Sequence, residues 1–534
     1  MQSDLPSSPS SSSSPSPSPS PSDARPAAAT VGSGSADREG GTASASAATA
    51  TAPRGGLDRF FGISDRGSSV SREIRGGLVT FFSMCYIVVL NPLIIGTVPD
   101  STGQYLGGGA EPNLPAVAAG TALIAGLLSI VMGTWAKFPL ALAAGLGLNA
   151  YVAYSVVPLP GMTWGGAMGL VLLEGVIILL LVLTGFRKAV FDAVPPFLKT
   201  AIAVGIGLFI AFLGLYNAKF VTTATGTPVQ LGNDGSLTGW PTFVFVTGLL
   251  LMFVLWVRKV PGAILISIVF ATVLAIVLES VLKLGAFAPA GPEGEGNPGG
   301  WAMNVPNISE FPIQVPDFAT VFTVDPIGGI TAAGAIGATV IVFSLLLADF
   351  FDTMGTMVGV ASGAGLVDET GDIPRSQRIL VVDSVGAIAG GLGGVSSNTS
   401  FVESTAGVAE GARTGLSSVV VGIAFLLTTF LSPLVALVPY EAATPALVMV
   451  GFLMMTQVTD IDFTDVEIAV PAFLTIILMP FAYSITVGMG AGFIMFVLIR
   501  VIRGRAKDVH WLMYLVAALF VVYFLRGGIE SLLL

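Results

Sequence analysis

The stretch ALIAGLLSIVMGTWAKFPLALAAGLGLNAY at residues 122–151 has the same layout as DSVGAIAGGLGGVSSNTSFVESTAGVAEGA at residues 383–412. Each has a Gly-rich apolar segment, a short polar break, a strand-like piece and a helix of small residues. The copies lie about 260 residues and seven predicted membrane spans apart. Because seven is odd, the second copy must enter the membrane from the opposite face. The sequence therefore predicts an inverted-topology repeat, in which the substrate site lies near the bilayer midplane on interrupted helices.

Composition identifies a membrane protein. Hydrophobic residues make up 53% of the chain and charged residues 10%, and apolar runs of about 20 residues recur along it. We predict an all-α polytopic fold of about 14 transmembrane segments in two inverted seven-span repeats, with short extended breaks in spans 3 and 10. The basic residues are too scattered to form a nucleic-acid patch.

The chain has one cysteine and one histidine, which limits the metal, redox and proton-transfer chemistry available to it. Cys85 is the only cysteine, which excludes an internal disulfide and a Cys-based metal site. His510 is the only histidine and precedes the last apolar run. A proton relay inside the membrane must therefore use carboxylates or hydroxyls.

The chain divides into four regions. Residues 1–56 are rich in Ser, Pro and Ala and hold too few large apolar residues to build a core, which predicts a disordered tail. Residues 57–320 hold the first seven-span repeat and residues 321–505 the second. Residues 506–534 include an apolar segment at 510–525 that fits a further span, an interfacial helix or a wrongly divided neighbouring span.

The distribution of Lys and Arg predicts the orientation. When the spans alternate from a cytoplasmic N-terminus, most basic residues fall on the cytoplasmic side, and only Lys219 and Lys283 lie clearly outside. The long polar connections at about 216–238 and 284–320 then lie outside as well.

Unusual polar groups occur in the interrupted spans and in the eighth segment. Asp349 and Asp352 in ADFFDTMGT are three residues apart, so on a helix they share a face and repel each other, which favours holding a proton. Glu403 follows the extended NTSF and opens a helix, and Asn149 in GLGLNAY offers both donor and acceptor edges. A buried carboxylate costs several kcal/mol unless it is paired, protonated or lining a wet cavity. We interpret these groups as functional, with helix capping for the acids and an inter-helix bond for Asn149 as the structural alternatives.

Other intramembrane groups restrict the kind of transporter. Glu174 and Asp383 lie on unbroken helices, and we interpret them as structural or accessory. No apolar segment has a Lys or Arg near its middle, so a strongly anionic substrate would lack a counter-charge, and a neutral polar ring suits the site better. The polar groups converge at one depth, which argues against a channel. No nucleophile-and-base or metal constellation indicates an enzyme, so we expect no metal and no cofactor other than a coupling proton.

Five motifs, taken in order, resemble the AzgA-like purine permeases of the nucleobase:cation symporter superfamily. They are GLGLNAYVAYSVV, LLEGVIILLLVLTGFRKAVFDAVP, ADFFDTMGTMVGVA, GGVSSNTSFVESTAGVAEGARTGLSS and VEIAVPAFLTIILMPFAYSI. The resemblance covers about residues 57–505 and implies a core domain of spans 1–4 and 8–11 and a gate domain of spans 5–7 and 12–14. It further implies proton-coupled uptake of adenine, guanine or hypoxanthine across the plasma membrane by a homodimer. Another nucleobase (xanthine, uric acid or uracil) and an anion carrier of the same architecture remain alternatives.

The resemblance also implies roles for individual residues. The family's critical Asn falls on Asn149, its eighth-span carboxylates on Asp349 and Asp352, and its tenth-span Glu on Glu403. The related uracil permeases carry Glu, two residues and Gly in the eighth span, which aligns best with Asp352 to Gly355 and ranks Asp352 as the base-facing acid. The Ser/Pro tail and the apolar run after residue 505 depart from the family pattern. The predicted substrate-binding residues are Asn149, Asp352, Glu403, Thr399, Ser400 and Phe351, with Phe350 and Phe401 as other stacking candidates, and the predicted proton carriers are Asp349, Asp352 and Glu403.

Overall fold

The computed structural model describes residues 55–185, 193–224, 227–232, 235–288, 296–302, 304–306, 315–367 and 373–533, and it leaves out the side chains of Ala224, Phe351 and residues 526–533. These residues belong to one compact unit. The predicted tail, residues 1–56, lies almost wholly outside the described residues.

The described chain is mostly helical, with four short strands. The α-helices are α1 (Gly56–Phe61), α2 (Val70–Met84), α3 (Ile87–Ile95), α4 (Leu114–Val131), α5 (Leu146–Tyr151), α6 (Trp164–Thr184), α7 (Pro196–Asn217), α8 (Trp240–Val257), α9 (Ala263–Leu282), α10 (Pro326–Gly363), α11 (Ser376–Leu392), α12 (Ser404–Ala409), α13 (Gly415–Thr428), α14 (Tyr440–Ala443), α15 (Pro445–Met455), α16 (Val466–Phe481), α17 (Ile485–Ile502) and α18 (Trp511–Leu533). The strands are β1 (Leu142–Ala144), β2 (Val221–Ala224), β3 (Thr227–Leu231) and β4 (Asn398–Ser400).

Side-chain caps explain where several helices begin. The Asn113 side chain accepts a hydrogen bond from the Ala116 amide at the start of α4, and the Thr163 hydroxyl accepts one from Gly166 at the start of α6. These caps satisfy backbone N–H groups that have no partner inside the helix. Inside the long helix α10, Gly334 has φ 70° and ψ 159°, a left-handed backbone that breaks the helix.

Within the described part of the chain, 10 helical stretches are long and apolar enough to cross a membrane. The multi-pass, mostly helical fold is therefore confirmed, while the number of spans stays a prediction. The predicted third and tenth spans are interrupted as expected, because β1 lies in the third and β4 in the tenth. The apolar run at 510–525 forms part of α18, which packs against α17 and α10 through a buried face that includes Met513 and Phe520.

The helices pack in two groups. In the first group α4 and α2 lie against α13, and α6 lies against α10 and α11; in the second, α7 lies against α15 and α16, and α16 against α17. The division into core and gate domains stays a prediction, since packing does not reveal which helices move.

Glycines allow α4 and α13 to meet backbone to backbone. A Cβ added to Gly126 would lie 2.9 Å from the carbonyl oxygen of Gly422, and one added to Gly422 would lie 2.5 Å from the carbonyl oxygen of Gly126. Such close contact replaces the hydrophobic driving force that is missing between helices in lipid.

Candidate substrate site

Two short strands join the halves of the chain. β1 and β4 are antiparallel, with Ala143 opposite Thr399. The Gly145 amide donates to the Ser397 carbonyl at 3.0 Å, and the Phe401 amide donates to the Ala141 carbonyl at 2.9 Å. Every residue of both strands is buried, so this pairing satisfies backbone groups that lipid could not. Helices α5 and α12 begin directly after these strands, which brings the two interrupted spans to one place.

One side of α10, next to the paired strands β1 and β4, is exposed. The Asp352 side chain is exposed, and a Cβ added to Gly355 would meet no atom within 4 Å. Val358 and Val402 are 50% and 54% exposed. Glu403 is half-buried and lies close enough to Asp352 for the two carboxylates to interact electrostatically. We call this surface the open face.

A tyrosine from the first half of the chain holds Glu403. Tyr86 lies between α2 and α3 and is 1% exposed, and its hydroxyl donates a hydrogen bond to Oε1 of Glu403. The phenol directs its only proton to one oxygen of this carboxylate, and the charge-assisted hydrogen bond orients the carboxylate. The two predicted base-facing acids and Tyr86 thus form one group at the open face.

Asp349 lies away from this group although it shares a helix with Asp352. Its carboxylate is fully buried, and neither oxygen has a hydrogen-bond partner among the described residues. Glu174 in α6 is also fully buried with both oxygens unpartnered. Asp383 in α11 interacts electrostatically with both. We call Glu174, Asp349 and Asp383 the buried acid cluster.

Thr399 and Ser400, predicted to bind substrate, point into a buried hydrogen-bond network. The Ser400 hydroxyl donates to Asp383 at 2.9 Å and the Thr353 hydroxyl donates to the same oxygen at 2.7 Å. Thr353 and Thr399 share a further hydroxyl contact of 2.8 Å. These hydrogen bonds connect β4 to α10 and α11. A substrate role for Thr399 and Ser400 stays a prediction.

Asn149 is buried and bonded to another asparagine. Its Nδ2 donates to Oδ1 of Asn91 at 2.6 Å, and Asn91 donates in turn to the Thr121 hydroxyl at 2.8 Å. Only the Asn149 carbonyl oxygen lacks a partner among the described residues. The bond to Asn91 engages one of the two N–H donors of the Asn149 amide, and a substrate role for Asn149 stays a prediction.

Three aromatic residues were predicted to stack on a substrate. Phe350 and Phe401 are 5% and 6% exposed. The side chain of Phe351 lies outside the described residues. Stacking on a substrate therefore stays a prediction for all three.

Sequence reasoning missed Tyr86, Asn91 and Thr353. Each is an ordinary residue in an apolar run, and each contacts a predicted site residue that is distant in the chain. The NP dipeptide at Asn91 and the polar Thr353 beside Asp352 were the only local signals. No group of His, Cys, Asp and Glu able to hold a metal ion occurs in the described part of the chain.

Comparison with known proteins extends over most of the chain. A family model described as "Permease family" matches residues 71–503. The adenine permease AdeP of Escherichia coli (strain K12) is 35% identical over 471 residues, covering 88% of this chain and 96% of that protein. The guanine/hypoxanthine permease PbuG of Bacillus subtilis (strain 168) is 37% identical over 471 residues, covering 88% of this chain and 99% of that protein.

A solved structure shares the fold. The transmembrane domain of the cyanobacterial bicarbonate transporter BicA aligns with a TM-score of 0.51 at 18% sequence identity, covering 79% of this chain and 97% of that domain. At this identity the likeness concerns architecture alone, and it agrees with the predicted inverted repeat. The resemblance found in the motifs is thus confirmed: the chain is a multi-pass membrane transporter, not an enzyme, and it belongs to the permease family that also contains these adenine and guanine/hypoxanthine permeases.

Proposed function

We propose that this protein imports purine nucleobases (adenine, guanine or hypoxanthine) across the plasma membrane by proton symport. The observation that carries the proposal is the meeting of Asp352 and Glu403, from different spans, at the open face. The names of the adenine and guanine/hypoxanthine permeases that match along nearly their whole length support the substrate class.

The chemistry of the open face suits a neutral base with N–H donors. Carboxylates accept charge-assisted hydrogen bonds, and purines present several N–H groups around a flat ring. Asp352 and Glu403 can accept from one ring at two points, while Tyr86 holds the second carboxylate in place. An anion such as bicarbonate or sulfate would be repelled by the same two acids.

Alternating access would follow from movement of the core helices against the gate helices. Two hydrogen bonds, one partly buried and one buried, connect these predicted domains and would have to break. Tyr440 in α14 donates to the Thr97 hydroxyl at 2.7 Å, and the hydroxyls of Tyr151 in α5 and Thr486 in α17 are 2.8 Å apart. The homodimer and the cytoplasmic N-terminus belong to the same proposal.

Uptake of radiolabelled compounds tests the substrate class. Cells lacking their own nucleobase carriers and expressing this protein should accumulate a purine, and unlabelled purines should compete. Uracil, xanthine and uric acid test the other nucleobases, and bicarbonate and sulfate test the anion alternative. Uptake of sulfate or bicarbonate without purine uptake would contradict the proposal.

A further inference from the structure

The buried acid cluster needs an explanation that substrate binding at the open face does not supply. Glu174 and Asp349 are both 0% exposed, and their four carboxylate oxygens have no hydrogen-bond partner among the described residues. The Ser397 hydroxyl lies beside Glu174 and the Thr399 hydroxyl beside Asp349, both without hydrogen-bond geometry, and the Ser397 hydroxyl too is unpartnered. Unpaired buried charge is among the most unfavourable states of a protein interior.

The titratable groups that interact with the cluster are other carboxylic acids, with one phenol beside them. α10 contributes Asp349 and, facing the open side, Asp352; α11 contributes Asp383; and Glu403 and Tyr86 lie next to Asp352. Neither Glu174 nor Asp349 forms an ion pair with a basic residue in the described part of the chain. Because buried like charges that interact electrostatically disfavour each other's ionised form, the cluster favours holding at least one proton.

A metal ion is a poorer occupant than a proton. The described residues contain no group of acids close enough together to ligate a metal. A proton needs one oxygen only, and a carboxylic acid can donate to a neighbouring hydroxyl such as that of Ser397.

The cluster is also connected to the open face. Asp383 interacts electrostatically with both Asp349 and Asp352, and it accepts hydrogen bonds from Thr353 and Ser400. A change in the charge of the cluster therefore acts on the strand β4 and on the base-facing acid. Coupling needs such a shared element, whose arrangement both ligands influence.

We propose that Glu174, Asp349 and Asp383 form the coupling-proton site of this carrier, separate from the purine-binding open face. The inference rests on the proposed function. One proton is taken up by the cluster from the solution on one side, forms an O–H bond with a carboxylate oxygen, and is released as that bond breaks on the other side. Glu174, which the sequence suggested to be structural or accessory, is an essential member.

The test uses the full-length protein in liposomes and compares two kinds of transport. Counterflow exchanges labelled for unlabelled adenine, guanine or hypoxanthine without net proton movement, whereas accumulation driven by an imposed pH gradient requires it. We expect Glu174→Gln to keep counterflow within about twofold and to lose at least about tenfold of gradient-driven accumulation, together with purine-dependent acidification of the lumen. Glu410→Gln is the matched control, since Glu410 is part of a surface ion pair with Arg75.

A conservative replacement of Glu174 distinguishes a proton-binding role from a packing role. Glu174→Asp keeps a group that can hold a proton and should restore part of the gradient-driven accumulation, which Glu174→Gln lacks. Accumulation by Glu174→Gln at the wild-type level would overturn the proposal. Loss of counterflow in a Glu174→Gln protein with a normal melting temperature would also overturn it, because the residue would then act in the basic transport cycle.

A measurement on the wild-type protein does not depend on how the variants fold. Dicyclohexylcarbodiimide modifies protonated carboxyl groups in apolar surroundings, and mass spectrometry should locate the adduct on the cluster at about pH 6. No adduct at Glu174, Asp349 or Asp383 would overturn the proposal, as would accumulation that requires a sodium gradient. A wild-type protein without any purine counterflow would instead contradict the proposed function itself.

Discussion

Glu403 combines the features expected of a substrate-binding residue at the scale of a single side chain. It comes from an interrupted span, it is half-buried, and it lies beside Asp352 at an open surface. Its fixed orientation comes from the Tyr86 hydroxyl and not from its own helix. The proposed recognition at this site would therefore involve a pair of residues that lie in opposite halves of the chain.

Replacing Glu403 by Gln should reduce purine uptake by at least about tenfold, because it removes a charge-assisted hydrogen bond of about 1.5–3 kcal/mol with little change in shape. Radiolabelled uptake, normalised to the amount of protein in the membrane, measures the loss. Glu410→Gln serves as the control, since Glu410 is also half-buried but forms a surface ion pair with Arg75. Normal uptake by Glu403→Gln at normal expression would rule out this role.

Replacing Tyr86 by Phe should raise the KM for purine uptake by about tenfold while leaving the maximal rate nearly unchanged, since a misplaced carboxylate weakens binding. Initial rates over a range of purine concentrations separate the two parameters. Tyr514→Phe, which removes a hydroxyl bonded to the Ala506 carbonyl near the C-terminus, is the control. An unchanged KM in Tyr86→Phe would show that the contact does not orient Glu403 for substrate.

At the scale of elements, two contacts between chain halves support the candidate site: one strand pair and one helix pair. β1 and β4 pair across the repeat and satisfy the backbone where the spans are interrupted. The helices α4 and α13 pack closely enough that glycine is required at the contact. These contacts hold α5 and α12 in position, so damage to either should reduce stability before it affects specificity.

Replacing Gly126 by Leu should destabilise the protein by about 1–3 kcal/mol or more, because the new side chain must enter the space occupied by the Gly422 carbonyl and Leu426. A thermal unfolding curve in detergent should show a lower melting temperature. Gly359→Ala is the matched control, since nothing lies within 4 Å of a Cβ there and alanine favours a helix by up to about 1 kcal/mol. Equal melting temperatures for the two variants would contradict the close contact.

At the scale of the whole molecule, the chain carries a long Ser/Pro-rich stretch before its first predicted span. The family model begins at residue 71, beyond the Ser/Pro-rich stretch. Deleting residues 1–50 should leave purine uptake unchanged within error, because a stretch with so few large apolar residues cannot contribute to a packed site. Reduced uptake by a truncated protein that is inserted normally would reveal a function for this segment.

Proton coupling predicts how the whole carrier responds to its surroundings. Under the proposed proton symport, purine uptake should rise as the external pH falls from about 8 to about 6, because the external concentration of the co-transported proton then rises by mass action. It should collapse with a protonophore and should not depend on sodium. Initial uptake rates in buffers of varied pH and cation composition test this, and uptake that follows sodium instead of pH would exclude proton symport.

The sequence by itself determined the fold class and the interrupted spans, and it singled out the acids of the candidate site. Apolar runs, small-residue breaks and charges in an apolar context are local patterns, and they lead to the membrane fold, to β1 and β4, and to Asp349, Asp352 and Glu403. The division of these acids into two groups was decided by tertiary structure alone. Asp349 and Asp352 are one helical turn apart, and packing of α6 and α11 against α10 leaves the first in the buried acid cluster while the second remains exposed. Tyr86 and Asn91 were likewise revealed only by tertiary structure, because their contacts join spans that are distant in the chain and no local pattern specifies them.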